Sequence, residues 1–205
     1  MKIKHLLIIL IMFAGLGKDL HAQVRFTYGL EWAYAGVFMD FHKFNYFSTD
    51  GVRVDDSLAK PVYKSTGQIL ANAGVNIGNH WAVSLYSGFS AIYEDRKVIP
   101  YSLRFTYFIK AYDQSGWKIF LDGGSAHSLA GSFNNKPLMI IKAGTGYRVP
   151  VYKDFCLDLF TALQFTSDHP VNIYDKFTHQ PVAHQSLRYS SRYGVGLVFG
   201  CALAF

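Results

Sequence analysis

Large apolar side chains recur at every second position along most of the chain, with glycine, alanine and polar residues between them. The run from Tyr193 to Phe205 shows the pattern in its simplest form. Tyr193, Val195, Leu197, Phe199, Cys201, Leu203 and Phe205 alternate with Gly194, Gly196, Val198, Gly200, Ala202 and Ala204. A period of two puts successive side chains on opposite faces of an extended strand.

The same alternation divides the chain into eight segments. The first carries Val24, Phe26, Tyr28, Leu30, Trp32 and Tyr34 on its bulky face; its phase changes after Gly36, which predicts a bulge or the end of regular structure there. The bulky faces of the next three are Ile69 to Ile77, Trp81 to Tyr93 and Tyr101 to Ile109. Trp117, Ile119 and Leu121 mark the fifth, Met139 to Tyr147 the sixth and Phe155 to Phe165 the seventh, and Tyr193–Phe205 is the eighth. Tight-turn residues follow the second strand (Gly78, Asn79, His80), the fourth (Asp113 to Gly116) and the sixth (residues 150–154). The other connections read as mostly longer loops: roughly residues 41–66, the charged stretch 94–100, the small and polar stretch 128–135, and residues 166–185. Such an order predicts an up-and-down antiparallel meander.

Charge decides which face meets what. Lys, Arg, Asp and Glu are missing from the bulky face, whereas Arg25, Glu31, Arg104, Lys110, Lys118, Asp122, Lys142, Arg148, Asp158 and Arg192 fall on the opposite one. A soluble antiparallel barrel has its apolar side chains inside and its charges outside. One charge at mid-depth on a lipid-facing surface costs about 2–4 kcal/mol, enough to keep that surface free of charge. The predicted fold is therefore all-β: an eight-stranded antiparallel up-and-down transmembrane β-barrel, bulky face to lipid and charged face to the lumen. Trp81, Trp117, Phe155 and Phe205 fall at the rim of the short turns, where they predict an aromatic girdle.

Composition narrows this further. A length of 205 residues suits one domain, 17% aromatic content favours strands, and a mean hydropathy of only +0.11 excludes a helical membrane bundle. At the N-terminus, Lys2 and Lys4 precede the apolar run Leu6–Leu16, and Ala22 precedes Gln23. This predicts a secretory signal peptide over residues 1–22, leaving 23–205 as the barrel. An apolar core of about 11 residues is well short of the ~20 that span a bilayer as a helix. Without residues 1–22, which hold Lys2, Lys4, Lys18 and Asp19, the net charge falls from +6 to about +4. No basic run or aromatic-basic platform accompanies it, so nucleic acid is not a predicted partner. Cys156 is predicted inward and Cys201 outward, which excludes a bridge between them.

In its N-terminal segment, its eight alternating segments and its final run Val195 to Phe205, the chain resembles the small eight-stranded outer-membrane barrels of Gram-negative bacteria, the OmpA/OmpX-like class. The resemblance is architectural, spans residues 23–205 and includes no motif match to any one member. It implies a bacterial outer-membrane location and contact with outer-membrane lipid and lipopolysaccharide. It also implies recognition of the last strand by the outer-membrane assembly machinery, a role that falls on Tyr193, Phe199, Leu203 and above all Phe205.

The inward charges predict a lumen ion-pair network of Arg25, Glu31, Arg104, Lys118, Asp122, Lys142, Arg148, Asp158 and Arg192, basic members in excess. Strand order places Asp122 near Lys142 and Asp158 near Arg148 or Lys142, and barrel closure lets Glu31 meet Arg192. An eight-stranded barrel is just wide enough for its own side chains, which excludes a diffusive porin and leaves a narrow gated pore as an alternative. Ser125 and His127, two apart on the lipid face near the outer rim, raise a second alternative, an enzyme acting on lipid A. Against it, the neighbouring outward residues Tyr101, Leu103, Met139 and Ile141 supply no carboxylate, and the order is reversed from the His-x-Ser of lipid A deacylases. His169, His179 and His184, with Asp168 and Asp175 near them, match no strong metal spacing, and no cofactor is predicted. Lys43, Arg53, Lys60 and Lys64 are candidates for lipopolysaccharide phosphates, though Asp50, Asp55 and Asp56 share their loop. The expectation is a non-enzymatic outer-membrane protein with a structural or surface-interaction role, presented by long first and seventh loops to an unidentified extracellular ligand. A soluble, exported, lipocalin-like binder is the third alternative.

Overall fold

The computed structural model describes residues 24–48, 50–93, 96–129, 138–152, 155–169 and 173–205. The expected signal peptide, residues 1–22, lies outside the described residues, as does most of the stretch 128–135. Eight strands follow in chain order: β1 (Val24–Phe47), β2 (Arg53–Ile77), β3 (Trp81–Tyr93), β4 (Arg96–Phe108), β5 (Gly116–Ser128), β6 (Leu138–Tyr152), β7 (Phe155–Asp168) and β8 (Leu187–Ala204). Each pairs antiparallel with the next, and β8 returns to β1 to close the barrel. At the seam, Tyr28 and Phe205 exchange both backbone hydrogen bonds, at 3.2 and 2.8 Å. Closure satisfies the backbone donors and acceptors of every wall strand within the protein, as a lipid environment requires.

The two faces of the wall are the reverse of a soluble barrel. Outside, Phe26 is 85% exposed, Trp32 67% and Leu85 65%; inside, Glu31, Arg104, Asp122 and Asp158 are each 3% exposed or less. The alternation of β5 shows this residue by residue, with Trp117, Ile119 and Leu121 outward and Lys118, Phe120 and Asp122 inward.

Within the lumen, Phe120 and Phe160 meet edge to face, 5.8 Å between ring centroids, in a cluster with Ala33, Ala35, Ala162, Val198 and Ala202. Glycines in the wall make room for these rings. A Cβ on Gly144 would lie 2.6 Å from Phe120 Cζ, and one on Gly200 would lie 2.6 Å from Phe160 Cζ. Val37, Val98, Ala126, Leu138 and Ile140 form a second buried apolar cluster. Cys156 and Cys201 are both free; Cys156 stands opposite Ala204, whereas Cys201 stands opposite Leu159 and Trp32.

Residues 41–66 are not a loop. β1 runs on to Phe47, turns, and returns as β2 from Arg53, so most of the stretch is paired strand. The register slips between Val37 and Met39, and this bulge explains the lost alternation after Gly36. Residues 96–100 of the charged stretch are corrected in the same way: they belong to β4, where Lys97 and Val98 pair with Ala91 and Ser90 of β3. Above the lipid, both faces of a strand can be polar, and pairing leaves no trace in hydropathy.

β1 and β2 have 24 and 25 residues, against 13 in each of β3, β4 and β5. At about 3.3 Å per residue the excess carries them roughly 36–40 Å further along the strand direction. β2 pairs with β3 only from Gln68, and β8 pairs with β7 only as far as Arg192, so a three-stranded sheet β8-β1-β2 projects above the barrel.

Candidate functional site

Arg104 organises the lumen. Its Nη1 donates to Glu31 Oε2 at 2.6 Å; its Nη2 and Nε donate to Asp122 Oδ2 at 2.9 and 3.2 Å. The guanidinium lies 3.9 Å from the Tyr86 ring centroid and 4.5 Å from that of Phe120. Asp158 accepts from Lys118 Nζ at 2.5 Å and from Arg148 through two bonds of 2.7 Å. Lys142 Nζ donates to the amide oxygen of Gln68 at 3.0 Å. Buried ions need such partners, because an uncompensated one costs several kcal/mol. These lumen side chains comprise four cations and three carboxylates, and Lys142 is the cation bonded to a neutral amide.

One expected pairing is corrected and another is extended. Asp122 stands next to Lys142 as its register neighbour, and its hydrogen bonds come from Arg104 on its other side. Glu31 does not meet Arg192: β1 continues upward, so Glu31 stands opposite Ala202 while Arg192 stands opposite His42 and pairs with Asp40. Arg25 sits at the lower rim with its guanidinium 5.7 Å from the Tyr112 ring centroid.

On the outer surface, each of the four predicted rim aromatics has an aromatic neighbour across the strand. Trp81 lies 4.8 Å from Tyr107, Trp117 5.4 Å from Tyr147, and Phe155 5.2 Å from Phe205, which in turn stacks on Tyr28 at 5.4 Å. Tyr107, Tyr147 and Tyr28 were visible as outward residues, but only the register shows that they join this belt. Phe199 and Phe205 are exposed, Leu203 is half-buried, and Tyr193 stacks with Phe165 at 6.0 Å. Ser125 and His127 both face outward, and the imidazole Nε2 lies 3.1 Å from the Tyr101 hydroxyl.

The described part of the connection between β7 and β8, residues 173–186, is folded against the projecting sheet. Ser48 Oγ donates to Asp175 Oδ2 at 2.6 Å, and the backbone N–H of Phe177 donates to Oδ1 at 2.8 Å. Tyr174 pairs with Pro181 across a small bridge, Lys176 N–H donates to the Tyr46 hydroxyl at 2.9 Å, and Ile173 packs with Phe44 and Tyr46 in a third apolar cluster. Lys176 Nζ and Asp56 Oδ2 are 2.7 Å apart. Lys176 holds the Asp56 carboxyl below the usual carboxylate range, and Asp56 raises the ammonium of Lys176 in return. His179 takes a left-handed backbone conformation in the turn, at φ 55°. Among the described residues no group of three His, Cys, Asp or Glu can hold a metal ion.

This connection leans over the inner face of the projecting sheet. Between them is a cavity of about 410 Å³ whose lining includes Asp40, His42, Leu58, Lys60 and Tyr174. Arg192 Nε donates to both oxygens of Asp40, at 2.8 and 2.9 Å, and His42 Nε2 lies 3.1 Å from Ser190 Oγ. Burial, with Arg192 beside it, pushes His42 below its ordinary value, against the pull of Asp40. The sequence did not single out Asp40 or His42, and marked Asp175 only as an acid near the loop histidines. The signal that existed was the recurrence of Phe44 and Tyr46 two positions apart within residues 41–66.

Among solved structures the chain is similar to the outer membrane protein OprG from Pseudomonas aeruginosa, at 13% identity over 91% of this chain and 99% of that one, TM-score 0.47. It is also similar to the outer membrane protein AlkL in lipid bilayers (9% identity, 85% and 90% covered, TM-score 0.41) and to Ail, the attachment invasion locus protein of Yersinia pestis (13%, 87% and 98%, TM-score 0.37). No protein-family model matches the sequence, and no curated protein matches it. The architecture is that of a small outer-membrane β-barrel.

Proposed function

We propose that the protein is a non-enzymatic outer-membrane β-barrel: a filled scaffold in the lipid that holds an interaction head outside the cell. The observation that carries this reading is the projecting β8-β1-β2 sheet, braced by the β7–β8 connection through Asp175, Tyr46 and Ile173. Among the described residues, no strand pairs with the outer edge of residues 53–67 of β2. Such an edge accepts an extended segment of a partner through its free backbone groups, while Lys60 and Pro61 on it limit indiscriminate pairing.

The lumen supports a scaffold over a conduit, because Arg104, Tyr86, Phe120 and Phe160 occupy it. The contact of His127 with Tyr101, with no carboxylate within salt-bridge distance of it among the described residues, supports a rim role over catalysis. Export through residues 1–22, recognition of β8 by the assembly machinery and contact with lipopolysaccharide belong to the same reading.

The test replaces residues 41–59 with Asn-Gly, which shortens the β1–β2 hairpin to barrel height. Cells carrying the full chain should bind members of an array of immobilised proteins and glycans. The shortened variant should keep its heat-dependent gel mobility in the outer-membrane fraction and lose that binding. Unchanged binding by the shortened variant, or ion conductance by the purified full chain in a planar bilayer, overturns the reading.

A further inference from the structure

The head cavity has the size and lining of a small-molecule site, about 410 Å³ with mixed apolar and polar walls. Its apolar walls come from Phe44, Leu58, Val62, Ile173 and Tyr174, and the rings of His42 and Phe44 meet at 5.1 Å, nearly edge to face. Its polar groups are unequal. Asp40 is held by the Arg192 guanidinium, so its charge is already balanced. Lys60 lines the same cavity from β2, and among the described residues no carboxylate lies within salt-bridge distance of it. The cavity therefore has one cation in excess, next to flat apolar walls.

We propose that this cavity binds a small aromatic carboxylate, its ring between Tyr174 and the His42 and Phe44 rings and its carboxylate on Lys60. Aromatic walls favour a planar ring over a flexible chain, which loses more conformational freedom on binding. The excess ammonium favours an anion, because a charge-assisted hydrogen bond is roughly twice as strong as a neutral one. Asp40, neutralised by Arg192, attracts a cation only weakly and repels an anion only weakly. The proposal rests on the head being folded as an interaction surface.

The experiment uses the full chain in lipid nanodiscs, with 1-naphthoate as the probe and 1-naphthalenemethanol as its uncharged counterpart. Binding is read from the ring resonances of His42. Saturable shifts with naphthoate are expected, about tenfold weaker with the alcohol and about tenfold weaker in Lys60→Gln. Leu58→Trp, which fills the cavity, should abolish the shifts while leaving the heat-dependent mobility of the barrel unchanged. Equal affinity for the alcohol, or unchanged naphthoate binding in Leu58→Trp, overturns the site. Absence of saturable shifts from a protein whose head still binds its partners on the array overturns the cavity alone; loss of array binding as well overturns the reading of the head.

Discussion

Arg104 crosses the lumen from β4 to place Nη1 2.6 Å from Oε2 of Glu31 on β1, and the same guanidinium holds Asp122 of β5 at 2.9 Å. One cation thus ties β1, β4 and β5 together inside the barrel. Both carboxylates are about 1% exposed. Arg104→Met leaves them without their partner and should destabilise the barrel by about 3–5 kcal/mol. Equilibrium unfolding in urea, followed by gel mobility, measures this. Adding Glu31→Gln to Arg104→Met should cost less than the sum of the two single changes, because the two residues act as a pair.

Gly200 and Gly144 should tolerate no side chain. A Cβ at either position runs into the phenyl ring of Phe160 or Phe120 and into neighbouring backbone. Overpacking of this kind costs about 1–3 kcal/mol, so Gly200→Val should lower the unfolding midpoint clearly. Gly123 faces outward with nothing within 4 Å of its Cβ position, and Gly123→Ala should leave the midpoint within the error of the same assay.

Outward positions at mid-height should reject charge. Leu121→Arg puts a guanidinium on a residue that is 55% exposed on the apolar outer face, and should cost about 2–4 kcal/mol in a bilayer. The same substitution at Ser87, beside Tyr101 and nearer the upper rim, should cost less. Unfolding measured in vesicles rather than detergent distinguishes the two.

The head should loosen in acid. His42 is held below its ordinary value by burial and by Arg192, so the neutral ring is the form the fold prefers. Its contribution is fully present above about pH 6.5 and is lost as pH falls through the depressed folded value. The groups that face it are Asp40 on β1, Arg192 and Ser190 on β8 and Lys60 on β2. The protection of the Phe44 and Ser191 amides, relative to their intrinsic exchange rates, should therefore fall as pH is lowered from about 7 to about 5, with the protection of barrel amides unchanged. His42→Asn should flatten this dependence.

The barrel was legible because two signals agreed. In β5, Lys118, Phe120 and Asp122 alternate with Trp117, Ile119 and Leu121, and the period gives a strand while the charges give its inner face. The rim aromatics were legible for the same reason, since Trp81 and Trp117 follow recognisable turns. Pairing across the lumen was not. Glu31 and Arg104 lie on strands that share no register, and the stagger of a closed sheet decides which inward residues meet.

The head was hidden by different physics. The bulge near Phe38 shifts the phase of β1, and outside the lipid Asp55, Asp56, Lys60 and Pro61 occupy strand positions with a composition that reads as loop. Asp175 was visible only as one acid among loop histidines, because its role depends on Ser48, 127 residues earlier.

The central claim is that the wall is inverted, with lipid outside and charge inside, and neighbouring residues of one mid-wall strand test it most directly. Phe105 is 47% exposed on the outer face of β4, and Thr106 is 7% exposed on the inner face. In a background with Cys156→Ser and Cys201→Ser, a single cysteine at each position is labelled with bimane, and the protein is placed in bilayers carrying a nitroxide on the lipid acyl chains. Strong quenching at 105 and weak quenching at 106 is the predicted result. Equal quenching at both positions, or stronger quenching at 106, would contradict a lipid-facing outer surface.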